Sequence, residues 1–116
     1  RRCPEMWRQS QLDPSGLPFP NGESFKQVAE RAVRAFEYVV PANLGKQTVM
    51  VTHDIVVRIL AAYVMGVTYS VYRRIKANNA SLSVVWVNEG AKRLAILNDT
   101  SHFETMPASP SWRAAL

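Results

Sequence analysis

The sequence predicts an α/β layered domain, and three features of the chain carry that prediction. An apolar run, Thr48 to Thr52, stops at His53, and apolar residues at helical spacing occur on both sides of it. Two segments rich in β-formers, Ser81 to Val87 and Arg93 to Leu97, follow further along the chain. The resulting order of helix, strand, helix, strand and strand is typical of a sheet that has helices packed on its faces.

Composition and charge limit the classes of function. The chain of 116 residues is 47% hydrophobic, which is enough for the core of one soluble domain. Its net charge is +5, but the cations are scattered singly, so we expect small anionic substrates rather than nucleic acid. The three tryptophans, Trp7, Trp86 and Trp112, are too far apart to suggest an aromatic and basic surface for nucleic acid.

Cysteine and histidine are too few for a disulfide framework or a metal cluster. Cys3 has no second cysteine to pair with, and the chain has only two histidines. The most apolar stretch, residues 48–67, is interrupted by charged side chains. We therefore expect a cytoplasmic protein that uses no metal or cofactor and does not enter a membrane.

The first long helix is predicted from Phe25 to Val40. Its apolar residues recur at i, i+3, i+4 and i+7 and form one face, while charged residues cover the other. Ser24 and Gln27 have the spacing of a capping box, and Pro41 is expected to end the helix. Before it, residues 13–22 contain three prolines and two glycines and read as a loop, and a short helix is possible around Glu5 to Ser10.

The second half of the chain supplies the remaining elements. Thr48 to Thr52 is predicted as a buried parallel strand, and Ile55 to Met65 as a helix that stops at Gly66. A short helix is expected within residues 68–76, a hairpin turn at residues 88–90, and a loosely held tail at residues 105–116. Because only about three strands can be recognised, fewer than in most doubly wound sheets, the chain resembles the second part of a larger domain.

His53 is the candidate functional residue that the element order singles out. In open α/β sheets, ligands bind beyond the carboxyl ends of the strands, and a helix that begins there favours an anion such as phosphate. His53 lies at this junction. From the residue alone, a histidine simply packed at a strand end is the favoured interpretation.

Several short motifs together resemble one known family. They are Pro20-Asn21-Gly22-Glu23-Ser24 with Arg31, Val51-Thr52-His53-Asp54 with Arg58, Asn79-Ala80-Ser81, and Leu97 to His102. In order and spacing they are similar to the carboxyl-terminal half of the histidine phosphatase superfamily, the phosphoglycerate-mutase-like proteins. The resemblance implies that residues 1–104 form a partial three-layer α/β/α sandwich with a mostly parallel sheet that lacks its amino-terminal strands.

The resemblance also implies phosphoryl transfer through a phosphohistidine. In the family, the nucleophilic histidine belongs to an Arg-His-Gly motif near the amino terminus. Here His53 follows Thr52 and His102 follows Ser101, so neither matches that motif. The nucleophile is therefore expected outside this chain, and the isolated chain is expected to be inactive.

The family pattern gives roles to the residues that are present. His53 would donate to the phosphoryl oxygens, and Glu23 would protonate the leaving oxygen, although an acid at a helix start is also favoured by the helix dipole alone. Gly22, Asp54 and Asn79 are candidate phosphate or substrate contacts. Asp54 has a second interpretation as a helix cap or as a residue that orients His53.

Three other polar residues have structural interpretations. Arg31 and Arg58 lie inside predicted helices, so salt bridges are favoured over contact with substrate. His102 is expected to be a satisfied polar residue in the closing turn.

Two functions remain open after the sequence is read. The chain is either part of a phosphomonoester hydrolase or mutase that acts on a phosphorylated small molecule, or an inactive partner-binding fragment or pseudo-phosphatase. Losing part of a sheet exposes a strand edge and apolar faces, so we expect the chain to need the missing amino-terminal half or to self-associate. The residues present do not distinguish a mutase from a phosphatase.

Overall fold

A computed structural model describes residues 22–104 together with Glu5 and Arg8, which are helical and exposed. The described residues form two α-helices, a two-stranded antiparallel sheet and two short 3-10 helices. Most of the predicted helix near Glu5, the loop before Gly22 and the tail 105–116 lie outside them. Within the described part of the chain, no helix is both long and apolar enough to cross a membrane.

Helix α1 spans Phe25–Ala42 and begins with the predicted capping box. The Ser24 hydroxyl accepts from the Gln27 backbone N–H at 3.2 Å, and the Gln27 side chain accepts from the Ser24 N–H at 2.8 Å. Pro41 lies inside the last turn and does not end the helix, which continues to Ala42, two residues past the predicted last residue Val40. It ends at Asn43, whose side chain donates to the Val39 carbonyl at 2.8 Å and satisfies one of the free carbonyls of the last turn.

Helix α2 spans Asp54–Val64 and ends as the sequence predicts. Gly66 has a φ of +72°, which favours glycine because it lacks a Cβ. The Gly66 N–H donates to the Tyr63 carbonyl at 3.0 Å, and the Val67 N–H to the Ala62 carbonyl at 3.1 Å. These two bonds are those of a Schellman motif, which closes the helix and satisfies carbonyls that would otherwise be free.

The two helices pack side by side and run in the same direction. Phe25 and Ala29, in the first two turns of α1, form a buried cluster with Ile59 at the middle of α2, and Ile55 and Val56 in the first turn of α2 pack against it. Near their carboxyl termini, the rings of Phe36 and Tyr63 lie edge to face at 6.1 Å. Since early residues meet early residues and late residues meet late ones, both helices begin at the same end of the molecule.

The 3-10 helix Tyr69–Arg74 forms where a short helix was predicted. It follows α2 and places its aromatic side chains beside the start of α1. Tyr72 and Tyr69 lie 4.3 Å and 5.7 Å from the Phe25 ring, measured between ring centroids. These contacts extend the core towards the end of the molecule at which both helices begin.

The carboxyl-terminal strands form the predicted hairpin. Strand β1 spans Leu82–Asn88 and strand β2 spans Ala91–Asp99, with Asn88 opposite Ala91. The turn residues Glu89 and Gly90 have φ values of 47° and 83°, the positive values of a type I′ turn. The register shifts twice between Leu82 and Val85, which marks a bulge at the start of β1.

The predicted strand Thr48 to Thr52 is not confirmed, because this segment pairs with no strand among residues 22–104. A strand requires a neighbour for its N–H and C=O groups, and the described residues provide none beside this segment. Val49 and Val51 are consequently 84% and 94% exposed. The described residues thus form a mixed α/β fold with an antiparallel sheet, and they do not confirm the mostly parallel sheet of a three-layer sandwich.

Candidate functional site

His53 is the residue at which the extended segment ends and α2 begins. It is the helix N-cap, with φ −102° and ψ 162°, and its side chain makes no capping hydrogen bond. Its carbonyl accepts from the N–H groups of both Val56 and Val57 at 3.1 Å, so the backbone enters the helix directly behind it. The imidazole is exposed beside a helix start, where backbone N–H groups and the helix dipole favour an anion.

Glu23 lies at the start of α1, one residue before the N-cap Ser24. Its two carboxylate oxygens accept from Nε and Nη2 of Arg31 at 3.1 Å and 3.0 Å. This bidentate geometry fixes the carboxylate beside the first turns of α1. The side chains of Arg31 and Glu23 are 61% and 45% exposed, so the pair contributes little to stability.

The parallel packing of the helices gives these two residues a common location. His53 precedes α2 and Glu23 precedes α1, and both helices start at the same end of the molecule. Gly22, next to Glu23, is exposed at that end as well. The arrangement presents an imidazole, a carboxyl group and two helix N termini to one side of the molecule.

Asp54 does not cap α2, because His53 occupies the N-cap and Asp54 is the first helical residue. Its carboxylate instead accepts from Nη2 of Arg58 one turn later, at 3.0 Å. The buried Nε of Arg58 has no hydrogen-bond partner among the described residues. The predicted salt-bridge roles of Arg31 and Arg58 are confirmed.

Asn79 lies in the turn that leads into β1 and is exposed. The next residue, Ala80, has a φ of 58°, and its carbonyl accepts from Nε2 of His102 at 2.7 Å. His102 is therefore a satisfied polar residue, as the sequence predicts. No hydrogen bond within residues 22–104 links Asn79 to His53 or Glu23.

Asn98 and Asp99 support the same turn from β2. The Asn98 side chain accepts from the Asn78 N–H at 2.7 Å, and the Asn98 N–H donates to the Ser83 hydroxyl at 3.1 Å. The Asp99 carboxylate accepts from the Ser101 N–H at 2.9 Å, and this bond lowers the pKa of Asp99. These contacts hold the loop that carries Asn79 against the end of the hairpin.

A polar cluster that sequence reasoning missed joins α1, α2 and β2. The Tyr63 hydroxyl donates to Oε1 of Glu37 at 2.7 Å, and Nζ of Lys92 lies 3.0 Å from the same oxygen. The hydrogen bond from Tyr63, followed by that from Lys92, lowers the pKa of Glu37, and Glu37 in turn raises the pKa of both partners. The sequence signal that could have revealed this cluster is Tyr63 in the apolar stripe of a helix. A half-buried tyrosine hydroxyl needs a hydrogen-bond partner.

Comparisons with known proteins show what the chain as a whole is similar to. The family model for the histidine phosphatase superfamily (branch 1) matches residues 1–100. Phosphoserine phosphatase 1 of Hydrogenobacter thermophilus is 29% identical over 101 residues, which cover 87% of this chain and 48% of that protein. A probable phosphoglycerate mutase GpmB of Erwinia tasmaniensis is 26% identical over 109 residues, which cover 84% of this chain and 51% of that protein.

A solved structure has the same fold. Bacillus stearothermophilus YhfR superposes with a TM-score of 0.76 at 24% sequence identity. The superposition covers 86% of this chain and 50% of the YhfR chain. The chain thus spans about half the length of these relatives.

Proposed function

Since the chain belongs to the histidine phosphatase superfamily (branch 1), we propose that it supplies His53 and Glu23 to the phosphoryl-transfer site of a phosphomonoester hydrolase or mutase. The observation that carries the proposal is the position of these residues at the starts of two parallel helices. An exposed imidazole, a carboxyl group and two helix N termini at one end suit a bound phosphate and its leaving group.

In the proposed reaction, a histidine outside this chain attacks phosphorus. A P–N bond forms while the bond between phosphorus and the leaving oxygen breaks, and Glu23 donates a proton to that oxygen. Glu23 then takes a proton from the water or hydroxyl group that attacks the phosphohistidine, so that a new P–O bond forms, the P–N bond breaks and the histidine leaves as the free imidazole. His53 donates to the phosphoryl oxygens throughout, and donors of this kind are worth roughly 10²–10³ in rate.

The proposed substrates are phosphorylated small molecules. The printed names of two relatives, a phosphoserine phosphatase and a probable phosphoglycerate mutase, support that class. Gly22, Asp54 and Asn79 are proposed to line the substrate side of the site. We expect this chain alone to hydrolyse p-nitrophenyl phosphate no faster than its His53→Ala variant, because the nucleophile is elsewhere.

An inactive, partner-binding role is the second candidate, and one observation favours it. Arg31 engages both carboxylate oxygens of Glu23, whereas a general acid must free an oxygen to carry its proton. In this alternative the α/β scaffold is kept without phosphoryl transfer. Phosphate binding at His53 distinguishes the two candidates.

The test is a titration of the chain with inorganic phosphate, followed by NMR of ring-labelled histidine. The chain contains only two histidines, so His102, which is bonded to Ala80, serves as an internal control. We expect the His53 ring signals to move with saturation in the millimolar range, on the order of 4 kcal/mol of binding free energy, while those of His102 stay fixed. Unchanged His53 signals, or equal movement of both rings, would contradict the proposal.

A further inference from the structure

Arg74 and Lys76 form a pair of exposed cations that the proposed reaction does not use. Ile75, between them, has extended backbone angles, with φ −104° and ψ 126°. In extended backbone, alternate side chains point to opposite sides. Ile75 and Ala77 are buried, so they anchor the inner side of the segment in the core. Arg74 and Lys76, which we call the cation pair, therefore point outward together.

One core cluster connects the cation pair with the end of the molecule that carries the candidate site. Phe25, the first residue of α1, belongs to this cluster, and Ile55, two residues after His53, packs against it. Tyr72 packs against the same cluster, with its ring centroid 4.3 Å from that of Phe25. Since Arg74 follows Tyr72 by two residues, the cation pair lies at the end where both helices begin.

The acidic side chains at the starts of the two helices already have cationic partners of their own. Glu23 accepts from Arg31, and Asp54 accepts from Arg58, in both cases at 3.0 Å. Among the described residues, neither member of the cation pair forms an ion pair. Within this part of the chain its charge is therefore not cancelled, and it adds to the two helix N termini in attracting anions.

We propose that the cation pair binds a second acidic group of the substrate, carried by the leaving part of the phosphomonoester, while His53 binds the phosphoryl group. The inference rests on the proposed function and deepens it, because it assigns residues that select among phosphorylated small molecules. The contact between Tyr72 and Phe25 joins the segment to the start of α1, which carries the Glu23 proposed to act on the leaving oxygen.

The spacing of the cation pair suits one small anionic group. Residues two apart on an extended segment lie about 7 Å apart along the backbone, and long arginine and lysine side chains span that distance. Both can therefore converge on a single carboxylate. A substrate whose leaving part is neutral gains nothing from them.

The test compares two ligands that differ only in this acidic group, 3-phosphoglycerate and glycerol 3-phosphate. The chain is titrated with each, and NMR follows the His53 ring and the backbone amides of residues 73–77. We expect 3-phosphoglycerate to bind about fivefold more tightly, the upper range for an exposed ion pair, and to be the one ligand that moves these amides. In about 0.5 M salt the Debye length is only about 4 Å, so the preference should fall below about twofold.

Variants with the same change in net charge separate the cation pair from general electrostatics. Arg74→Gln/Lys76→Gln should abolish the preference and leave the binding of glycerol 3-phosphate within about twofold. Arg34→Gln/Lys46→Gln is the matched control, because Arg34 lies in the middle of α1 and Lys46 beyond its far end, both exposed. This control should keep most of the preference, and so should Arg74→Lys/Lys76→Arg, which retains both charges. Circular dichroism checks that each variant is folded.

The outcomes distinguish this inference from the proposed function. Equal affinity for the two ligands, with the His53 signals moving for both, would overturn the inference and leave the phosphate site in place. Loss of the preference in the Arg34→Gln/Lys46→Gln control would also overturn it, since net charge would then be the cause. Equal weakening of both ligands by Arg74→Gln/Lys76→Gln would do the same, because the cations would then contact the phosphoryl group. If neither ligand moved the His53 signals, the proposed phosphate site would be contradicted and the inference would fall with it.

Discussion

The Glu23 carboxylate and the Arg31 guanidinium form a bidentate ion pair at the candidate site. Both oxygens of Glu23 are engaged, at 3.1 Å and 3.0 Å, by two nitrogens of one side chain. An exposed pair of this kind contributes about 0–1 kcal/mol to stability, so its value to the protein is the orientation of the carboxylate. Arg31 is accordingly a positioning residue, and Glu23 is the group proposed to move a proton.

Substituting Glu23 tests the proton-donor role directly. In this chain joined to the part of H. thermophilus phosphoserine phosphatase 1 that it does not match, Glu23→Gln should lower the hydrolysis of an alkyl phosphate roughly 10²–10⁴-fold, because an alkoxide is a poor leaving group without a proton. The hydrolysis of p-nitrophenyl phosphate should fall far less, since p-nitrophenolate leaves readily. The measurement is the ratio of the two kcat values, and equal losses for both substrates would assign Glu23 a structural role.

The side-chain interactions that could be predicted are those between residues close together in the sequence. The Ser24 and Gln27 capping box depends on groups three residues apart, and the Arg58 pair with Asp54 on groups four apart. The choice of His53 rather than Asp54 as the N-cap could not be predicted, since it depends on which residue leaves helical dihedral angles. The role of His53 with phosphate stays a prediction.

At the scale of elements, structure that depends on neighbouring residues could be predicted, whereas structure that depends on distant residues could not. Helix α1 follows from its own periodicity, and the hairpin from a turn dipeptide, Glu89-Gly90, with positive φ values. The segment Thr48 to Thr52 has the composition of a strand, but its pairing depends on residues far away or on another polypeptide. The predicted burial of this segment is wrong for Val49 and Val51, which are 84% and 94% exposed, and its predicted pairing is not confirmed within the described residues.

The cluster of Tyr63, Glu37 and Lys92 links α2 to α1 and β2. The variant Tyr63→Phe tests how much this cluster contributes to stability. Removing the hydroxyl should lower the free energy of unfolding by about 1 kcal/mol at neutral pH, because a hydrogen bond to a charged group is lost. Urea denaturation measures the change. Tyr38→Phe is the control, because Tyr38 lies on the same helix as Glu37 and is 82% exposed.

The direction of the pKa shifts fixes how this effect depends on pH. The folded-state pKa of Glu37 is below its usual 4.5, so its contribution is complete above that value and is lost as the pH falls through the folded-state pKa. The pKa values of Tyr63 and Lys92 lie above their usual 10.0 and 10.5, so their contributions are complete below those values and disappear at higher pH. A Tyr63→Phe effect of the same size at neutral pH and in strong acid would contradict this assignment.

At the scale of the whole molecule, the segment 48–52 and strand β1 each have a covered side and an uncovered side. The inward side chains of the segment 48–52 and of β1 face α1 and α2 across a cavity, while Val49, Val51 and Trp86 point to solvent. Exposed apolar side chains can be covered by another polypeptide or by a second copy of the chain. These side chains are therefore where we expect such an association.

The uncovered face leads to a prediction about the isolated chain. Val49→Thr/Val51→Thr keeps the β-branched shape of both residues but makes them polar, and the parent side chains are 84% and 94% exposed and have few contacts to lose. The free energy of unfolding should therefore change by less than about 0.5 kcal/mol, the usual range for surface substitutions. Binding of a fluorescent apolar dye should decrease and the solubility limit should rise.

A matched substitution in the core, Ile59→Thr, removes a fully buried side chain and should destabilise the fold by several times as much. If the double variant lost more than about 1 kcal/mol, its valines would be packed in the free chain, and the open face would already be covered.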